Sequence, residues 1–515
     1  MANVYGRFYL NLSTFSQILG QIPWIDVGTL VQLGGGTELP ESLRVASDAP
    51  KRGGAAMLLR MPFVIRGLLE EQRLLDAKVA AFEEDITERV RAHRAMDLTI
   101  LPDEGLGRRL RELERLLART GKIMLTCAAS SMAMHLCLRA LFTRPSDPEG
   151  KRGSLAVTAG IRDLESARPA LGLLGLAHAL ERDEAGYRTF ERGDVPAPEL
   201  LGRLPEGPFK KALAEFMDAH GDRAVREAEL STPRWREDPS TLLAMLRATI
   251  RSDPERSLRA LHERNEAAVR ELDVELATLP FARRQLATRL VPRAQRATRY
   301  RERLRAWVLV VLGMLREVVL DADRRIGRLV PDLAEERARW KGKPGGDIPD
   351  AFFLTADELI DALDHARTNL LPFFRTRRGD YARNVQRPDP EVTFRGAPSP
   401  IQAPPRGERL LGVGASGGVV SGVARVIAHP VDLASFCAGE ILVTHATDIG
   451  WTPIFPLATA IVTELGGALS HAAIVAREFG IPTVVSARAA TLVIRTGDRI
   501  RVDGDGGLVE VLERG

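Results

Sequence analysis

Lysine, cysteine and aromatic residues are all scarce in this 515-residue chain. Only eight of its 72 basic residues are lysines, so the pI near 9.1 is set by arginine, and 68 acids leave a net charge of +4. Aromatics make up 5 % and are not interleaved with basic blocks in the way single-strand binders use them, so nucleic acid is not an expected partner. Three cysteines, Cys127, Cys137 and Cys437, have no paired spacing and read as buried free thiols of a reducing cytoplasm. The nine histidines show no ligand spacing either, and no metal site is expected on this chain. The N-terminus lacks a basic n-region and an apolar h-region, which argues against a signal peptide. The most apolar run, residues 306–315, is closed by Arg305 and Arg316; it is too short to cross a bilayer and reads as a core helix, so no membrane partner is expected.

The length allows two or more domains, and 45 % hydrophobic with 27 % charged residues is a globular balance. Residues 4–12 alternate like a strand. The triplet Gly34-Gly35-Gly36 is followed by Thr37-Glu38 rather than Lys-Ser/Thr and reads as a loop, not a phosphate cradle. From about residue 57 to 370, leucines three, four or seven apart with charges between them predict amphipathic helices. Residues 350–354 read as a strand, and Thr355 with Glu358 three residues later reads as a capping box.

One stretch departs from helical packing. Residues 220–239 place His220, Asp222, Arg223, Glu227 and Glu229 beside Gly221 and then break at Pro233 and Pro239, a composition suited to a polar pocket wall. Residues 385–407 carry six prolines and read as a semi-extended linker. Beyond it, strands at about 419–427, 440–444, 460–463, 482–485, 499–502 and 508–511 alternate with turns and one short helix. Residues 408–515 hold eight arginines and eleven acids, a net −3 against +7 for the rest, a difference that favours docking of the two parts.

The apolar run ending at Thr463-Glu464 feeds Gly466-Gly467, and Ser470-His471 then stand where a helix begins that Gly480 and Pro482 end. A helix N-terminus presents unpaired N–H groups and the positive end of the macrodipole, a ready anion site. Ser470 is the expected N-cap, and a neutral imidazole at His471 is well placed to act as a nucleophile toward phosphorus. The dipole alone contributes about 0.3–2 kcal/mol, so further donors such as Thr463, Ser470 and Arg477 are expected around a bound dianion.

The string Thr463-Glu464, Gly466-Gly467, Ser470 to Arg477 and Gly480-Ile481-Pro482 resembles the phosphohistidine signature of the phosphoenolpyruvate-utilising enzymes, seen in pyruvate phosphate dikinase, phosphoenolpyruvate synthase and rifampin phosphotransferase. The resemblance implies a large mainly α-helical substrate-binding-like domain over 1–384, the linker at 385–407, and a small C-terminal α/β swivelling domain over 408–515 that carries phosphate on His471. Asp448 and Thr452 fall where the family places a second loop beside that histidine. The 220–239 stretch is similar to the substrate-binding domain of rifampin phosphotransferase-like proteins. There, Asp222 stands where relatives usually carry histidine, so no proton-transfer role carries over to it, and whether His220 supplies one is open from sequence. Leu469 replaces a threonine of the dikinases, so control by phosphorylation at that position is not expected. No part of the chain resembles an ATP-grasp domain, and no barrel domain follows His471. The resemblance therefore implies an ATP-grasp partner that binds Mg-ATP and loads His471, an organic hydroxyl acceptor, and no cofactor on this chain. A phosphoenolpyruvate-dependent donor, and a non-catalytic homologue in which phospho-His471 signals, are the alternatives.

Overall fold

The computed structural model describes residues 2–4, 7–9 and 54–515, apart from 146, 148, 149, 159, 160, 162, 163, 192–196, 388–408, 429 and 469. Gly34–Gly36, almost all of the proline-rich linker and Leu469 lie outside the described residues. The opening stretch read as one strand is a short antiparallel pair, β1 (Ala2–Val4) and β2 (Arg7–Tyr9).

The helical part is organised on three long helices: α1 (Gly54–Arg94), α2 (Asp103–Phe142) and α3 (Phe281–Leu329). At 1.5 Å per residue the last is roughly 70 Å long, and Pro292 is accommodated inside it. Their leucines meet as the periodicity predicts: Leu106, Leu110 and Leu113 pack with Val311, Met314 and Val318 in one core, joined by Phe82 and Ile86. By length and composition α2 is apolar enough to cross a membrane; here it lies along α3. Residues 350–353 form a 3-10 turn rather than the expected strand, because Asp350 is fully buried and ion-paired to Arg337 and Arg378, which holds the chain in a tight turn. The capping box at Thr355 and Glu358 forms.

The C-terminal unit is one eight-stranded mixed sheet in the order β3-β10-β9-β5-β6-β7-β8-β4. Its strands are β3 (Arg409–Leu411), β4 (Val413–Ser416), β5 (Val419–Val426), β6 (Ile441–Thr444), β7 (Ala460–Thr463), β8 (Thr483–Val485), β9 (Arg499–Asp503) and β10 (Leu508–Glu513). The run β5-β6-β7-β8 is parallel, and β6 and β7 are buried on both faces, as parallel strands with covered faces are. Between β7 and β8 the chain crosses over through α4 (His471–Glu478). In open α/β sheets ligands gather beyond the carboxyl ends of parallel strands, and α4 begins there. The two parts share an apolar core in which Phe216, Trp235 and Leu246 of the helical part meet Phe436, Phe455 and Phe479 of the sheet unit.

Candidate functional site

His471 is the first residue of α4, and Ser470 caps it, its hydroxyl accepting from Ala473 N at 3.4 Å. The approach to the helix is held by backbone: Ser470 N donates to Gly467 O at 2.9 Å, and Gly466, at φ +133°, aims its carbonyl at the Ser486 hydroxyl, 2.6 Å away. His471 is only 4 % exposed. Its Nε2 meets the Thr452 hydroxyl at 2.9 Å, and its Nδ1 faces Glu302 Oε2 of α3 at 3.7 Å, an ion-pair separation too long for a hydrogen bond. Neither Glu302 oxygen nor His471 Nδ1 has a hydrogen-bond partner among the described residues.

Thr452 lies in a buried 3-10 turn, Ile449–Leu457, whose N-cap is Asp448. One Asp448 oxygen accepts from Gly450 N at 2.9 Å; the other accepts from Arg226 N of the helical part at 2.5 Å. Arg226 adopts φ +61°, and this left-handed conformation, costing about 1–2 kcal/mol for a non-glycine residue, turns its N–H toward Asp448. The same loop buries Arg223 and Glu227. Glu227 lies 3.9 Å from Arg223 and 3.4 Å from Arg305 of α3, and its backbone carbonyl accepts from Arg234 at 2.8 Å. His471, Thr452 and Asp448 therefore face Glu302, Glu227, Arg223 and Arg305 across the contact between the two parts.

Burial sets the protonation states. It pushes His471 down to about 4, and Arg305 and Arg223 push the same way against Glu302, so the imidazole is neutral at pH 7. Burial raises Glu302, but Arg301, His471 and Arg305 outweigh it and hold the carboxylate well below its usual range. Burial lifts Glu227 to about 7 and Asp448 to about 6. A neutral imidazole, an ionised carboxylate at one ring nitrogen and a carboxyl poised near neutrality are the groups nucleophilic and acid–base chemistry requires.

The other sequence-nominated residues are dispersed. Thr463 donates to Leu465 O, and Glu464 holds His445 Nδ1 at 2.6 Å and Thr491 at 2.6–2.7 Å. Arg477 is fully buried and spends its guanidinium on the carbonyls of Ala415 and Ala468 and on the Thr158 hydroxyl of the helical part, 2.9 Å away. It ties α4 to its surroundings instead of facing His471. His220 is buried edge-on to Phe216, with burial holding it down at about 4. Asp222 is ion-paired to Arg236 at 2.7 Å and Arg94 at 3.0 Å. Glu229 is exposed and caps Ser231.

Sequence reasoning did not nominate Glu302 or Arg305. The run Arg301-Glu302-Arg303 looks like a solvated face, yet Glu302 continues the buried stripe Ala287, Val291, Ala294 and Thr298 at steps of three and four. A carboxylate on the core-facing stripe is the signal that marks it.

The buried histidines make stability pH-dependent. His471 and His220 (about 4) and His135 (about 3) are neutral in the fold, whereas the unfolded chain protonates them near 6.5. Their contribution is intact above pH 6.5 and is lost as pH falls toward 4. Glu227 and Asp448 act oppositely, holding protons that the unfolded chain releases at lower pH. His471→Ala should therefore lose less stability than the parent between pH 7.5 and 5.0, by about 2 kcal/mol on the scale of 1.4 kcal/mol per pKa unit, measured by denaturant unfolding at both values.

Two family matches divide at this site. Residues 123–302 match the rifampicin phosphotransferase fourth domain and contain Arg223, Glu227 and Glu302; residues 436–507 match the mobile domain of PEP-utilising enzymes and contain Asp448, Thr452 and His471. Among curated proteins, the chain is 30 % identical over 470 residues to the prodigiosin synthesizing transferase PigC of Serratia marcescens, covering 86 % of this chain and 49 % of that protein. It is 29 % identical over 333 residues to a rifampicin phosphotransferase of Streptomyces sviceus (61 % and 36 %) and 30 % identical over 359 residues to that of Bacillus cereus (66 % and 39 %). The chain thus spans about half or less of the length of these relatives. With a fourth-domain match on one side of the contact and a mobile-domain match carrying His471 on the other, the chain is similar to the rifampicin phosphotransferases and carries the mobile domain of PEP-utilising enzymes.

Proposed function

We propose that this protein is a phosphotransferase component in which His471 carries a phosphoryl group from a donor site elsewhere to a hydroxyl of an organic acceptor. The observation that carries this reading is the burial of His471 at a helix N-terminus with Thr452 on Nε2 and Glu302, from the other part of the molecule, at Nδ1. With Nδ1–H turned toward Glu302, Nε2 keeps its lone pair and bonds to phosphorus. Delivery breaks the Nε2–P bond and forms the acceptor O–P bond. The hydroxyl proton passes to a carboxylate, for which Glu227, lifted to about 7, is suited. Arg223 and Arg305 stabilise the charge on the transferring group.

A histidine so buried cannot meet a donor in this arrangement, so the C-terminal unit swivels away to be loaded. Undocking uncovers the shared core around Phe436, Phe455 and Phe479, and the donor domain or chain must offer an apolar face to cover it. An ATP-grasp partner holding Mg-ATP is the donor the resemblance favours, and a phosphoenolpyruvate-dependent donor is its competitor.

The test is the chemistry of the label. Incubated with radiolabelled ATP and the nucleotide-binding partner, or with labelled phosphoenolpyruvate and its own partner, the full chain should take up one phosphoryl group, acid-labile and alkali-stable, that an acceptor discharges. An acid-stable label would remove histidine from the mechanism. Glu302→Gln keeps the side-chain volume and removes the charge facing Nδ1. It should slow discharge to the acceptor by about 10²-fold while loading changes little, the scale of a lost charge partner in general acid–base catalysis.

A further inference from the structure

At the far end of α4 from His471, the two parts line a half-open cavity of about 910 Å³, within the roughly 300–1,000 Å³ typical of small-molecule sites. The helical part contributes Arg144, Arg152 and Arg264; the sheet unit contributes the Ser416–Gly418 turn, Arg477 and Asp505. Most of these charges are already engaged. Arg144 pairs with Glu275 at 2.9 Å and donates to Thr278 at 2.6 Å. Arg152 faces Glu271 and Glu275 at 3.7–3.8 Å, and Arg477 is taken up by carbonyls and Thr158. Of the acids, Asp147 accepts from Arg152 N at 2.9 Å and Asp505 from Gly418 N at 2.9 Å.

Arg264 is the exception. Its stem packs on the backbone of Gly480, where an added Cβ would stand 2.7 Å from Arg264 Cβ, so the residue is half-buried at the seam between the two parts. Its guanidinium has no hydrogen-bond or ion-pair partner among the described residues, and burial holds its pKa below the ordinary arginine value. A cation drawn partly out of water without a counter-charge is costly, and an anion in the cavity removes that cost. The rest of the wall is not polar throughout: Leu155, Ala156, Ala267 and Ala415 present apolar surface.

We propose that this interdomain cavity binds a small organic anion, with a phosphate or carboxylate head on Arg264 and the body along the apolar wall. Because both parts form the walls, the complete site exists only in the docked arrangement. A ligand there stabilises docking in proportion to RT ln(1 + [L]/Kd). It is a site distinct from His471, and its occupant would tune how long the C-terminal unit stays docked.

Isothermal titration of the full chain with phenyl phosphate, benzoate and orthophosphate tests this without any phosphorylation, so its outcome is independent of the phosphotransfer reading. Phenyl phosphate or benzoate should bind saturably, at least tenfold tighter than orthophosphate; which of the two binds better identifies the head group. Arg264→Gln should weaken binding at least tenfold with the wild-type circular dichroism and Tm retained, Arg264→Lys should recover part of it, and His471→Ala should leave it unchanged. No saturable binding of any probe, equal binding by Arg264→Gln, orthophosphate binding as tightly as the organic anions, or loss on His471→Ala would each overturn the proposal.

Discussion

His471→Ala should abolish phosphoryl carriage, lowering both loading by the donor and transfer to the acceptor by roughly 10⁴-fold or more, the scale on which removal of a covalent nucleophile acts. The expectation rests on the absence of a substitute. Among the described residues the hydrogen-bond partner of Nε2 is the Thr452 hydroxyl, a weak nucleophile, while of the carboxylates across the contact Glu302 faces Nδ1 and Glu227 is held beside Arg223 and Arg305. The fold should survive. Alanine is a strong helix former, and the change removes a ring whose Nδ1 is buried without a hydrogen bond. A variant with wild-type Tm and less than about a thousandth of the parent's label would meet the prediction. Equal labelling of the two would move the phosphoryl site elsewhere.

How much of this could be read from the sequence follows from how local each feature is. The helix start at Ser470-His471 is a matter of a cap, two glycines and a stop signal, all within one short stretch, and it forms where the pattern puts it. Strands β5 to β10 follow from runs of β-branched residues between turns, and their bounds lie within two residues of the expected ones. Strands β3 and β4, only three and four residues long and separated by Gly412, have no such signal; their pairing with β10 and β8 defines them. Residues 350–354 show the same limit, since the apolar run Ala351-Phe352-Phe353-Leu354 fits a strand until the ion pairs of the buried Asp350 fold it into a turn.

The site divides in the same way. Proximity in sequence nominated Arg477, but α4 points its guanidinium to Ala415, Ala468 and Thr158. Proximity could not nominate Glu302, 169 positions before His471, because only tertiary packing brings α3 to the mouth of α4. The 220–239 stretch was recognisable as polar and turn-rich, and three of its nominated residues part company there: Glu227 and Arg223 turn toward the contact, while Asp222 is locked to Arg94 and Arg236 on another side. Composition identified the loop, but not which of its side chains faces inward.

Gly450→Ala should separate the two halves of the reaction. Gly450 lies where the Asp448 turn is pressed against the loop of the helical part, and a Cβ there would stand 2.2 Å from Ala224 O, 2.7 Å from Ala224 C and 2.9 Å from Val225 Cα. All three are backbone atoms, so no side chain can swing aside, and relief requires the C-terminal unit to back away by on the order of 1 Å. Overpacking of this kind costs typically 1–3 kcal/mol, and a 1 Å displacement of reacting groups costs about 10²-fold in rate. The same retreat lengthens the 2.5 Å bond from Arg226 N to Asp448 and widens the His471–Glu302 gap beyond 3.7 Å. Transfer to the acceptor should therefore fall by about 10²–10³-fold. Loading of His471, which takes place with the unit undocked, should stay within about twofold of the parent, because the added methyl group meets none of these atoms once the helical part is gone. Single-turnover labelling followed by an acceptor chase reads the halves separately. Wild-type discharge by Gly450→Ala would show that transfer occurs in a geometry other than this docked one, whereas normal loading with a stalled chase is the signature of a carrier that can be charged but no longer seated.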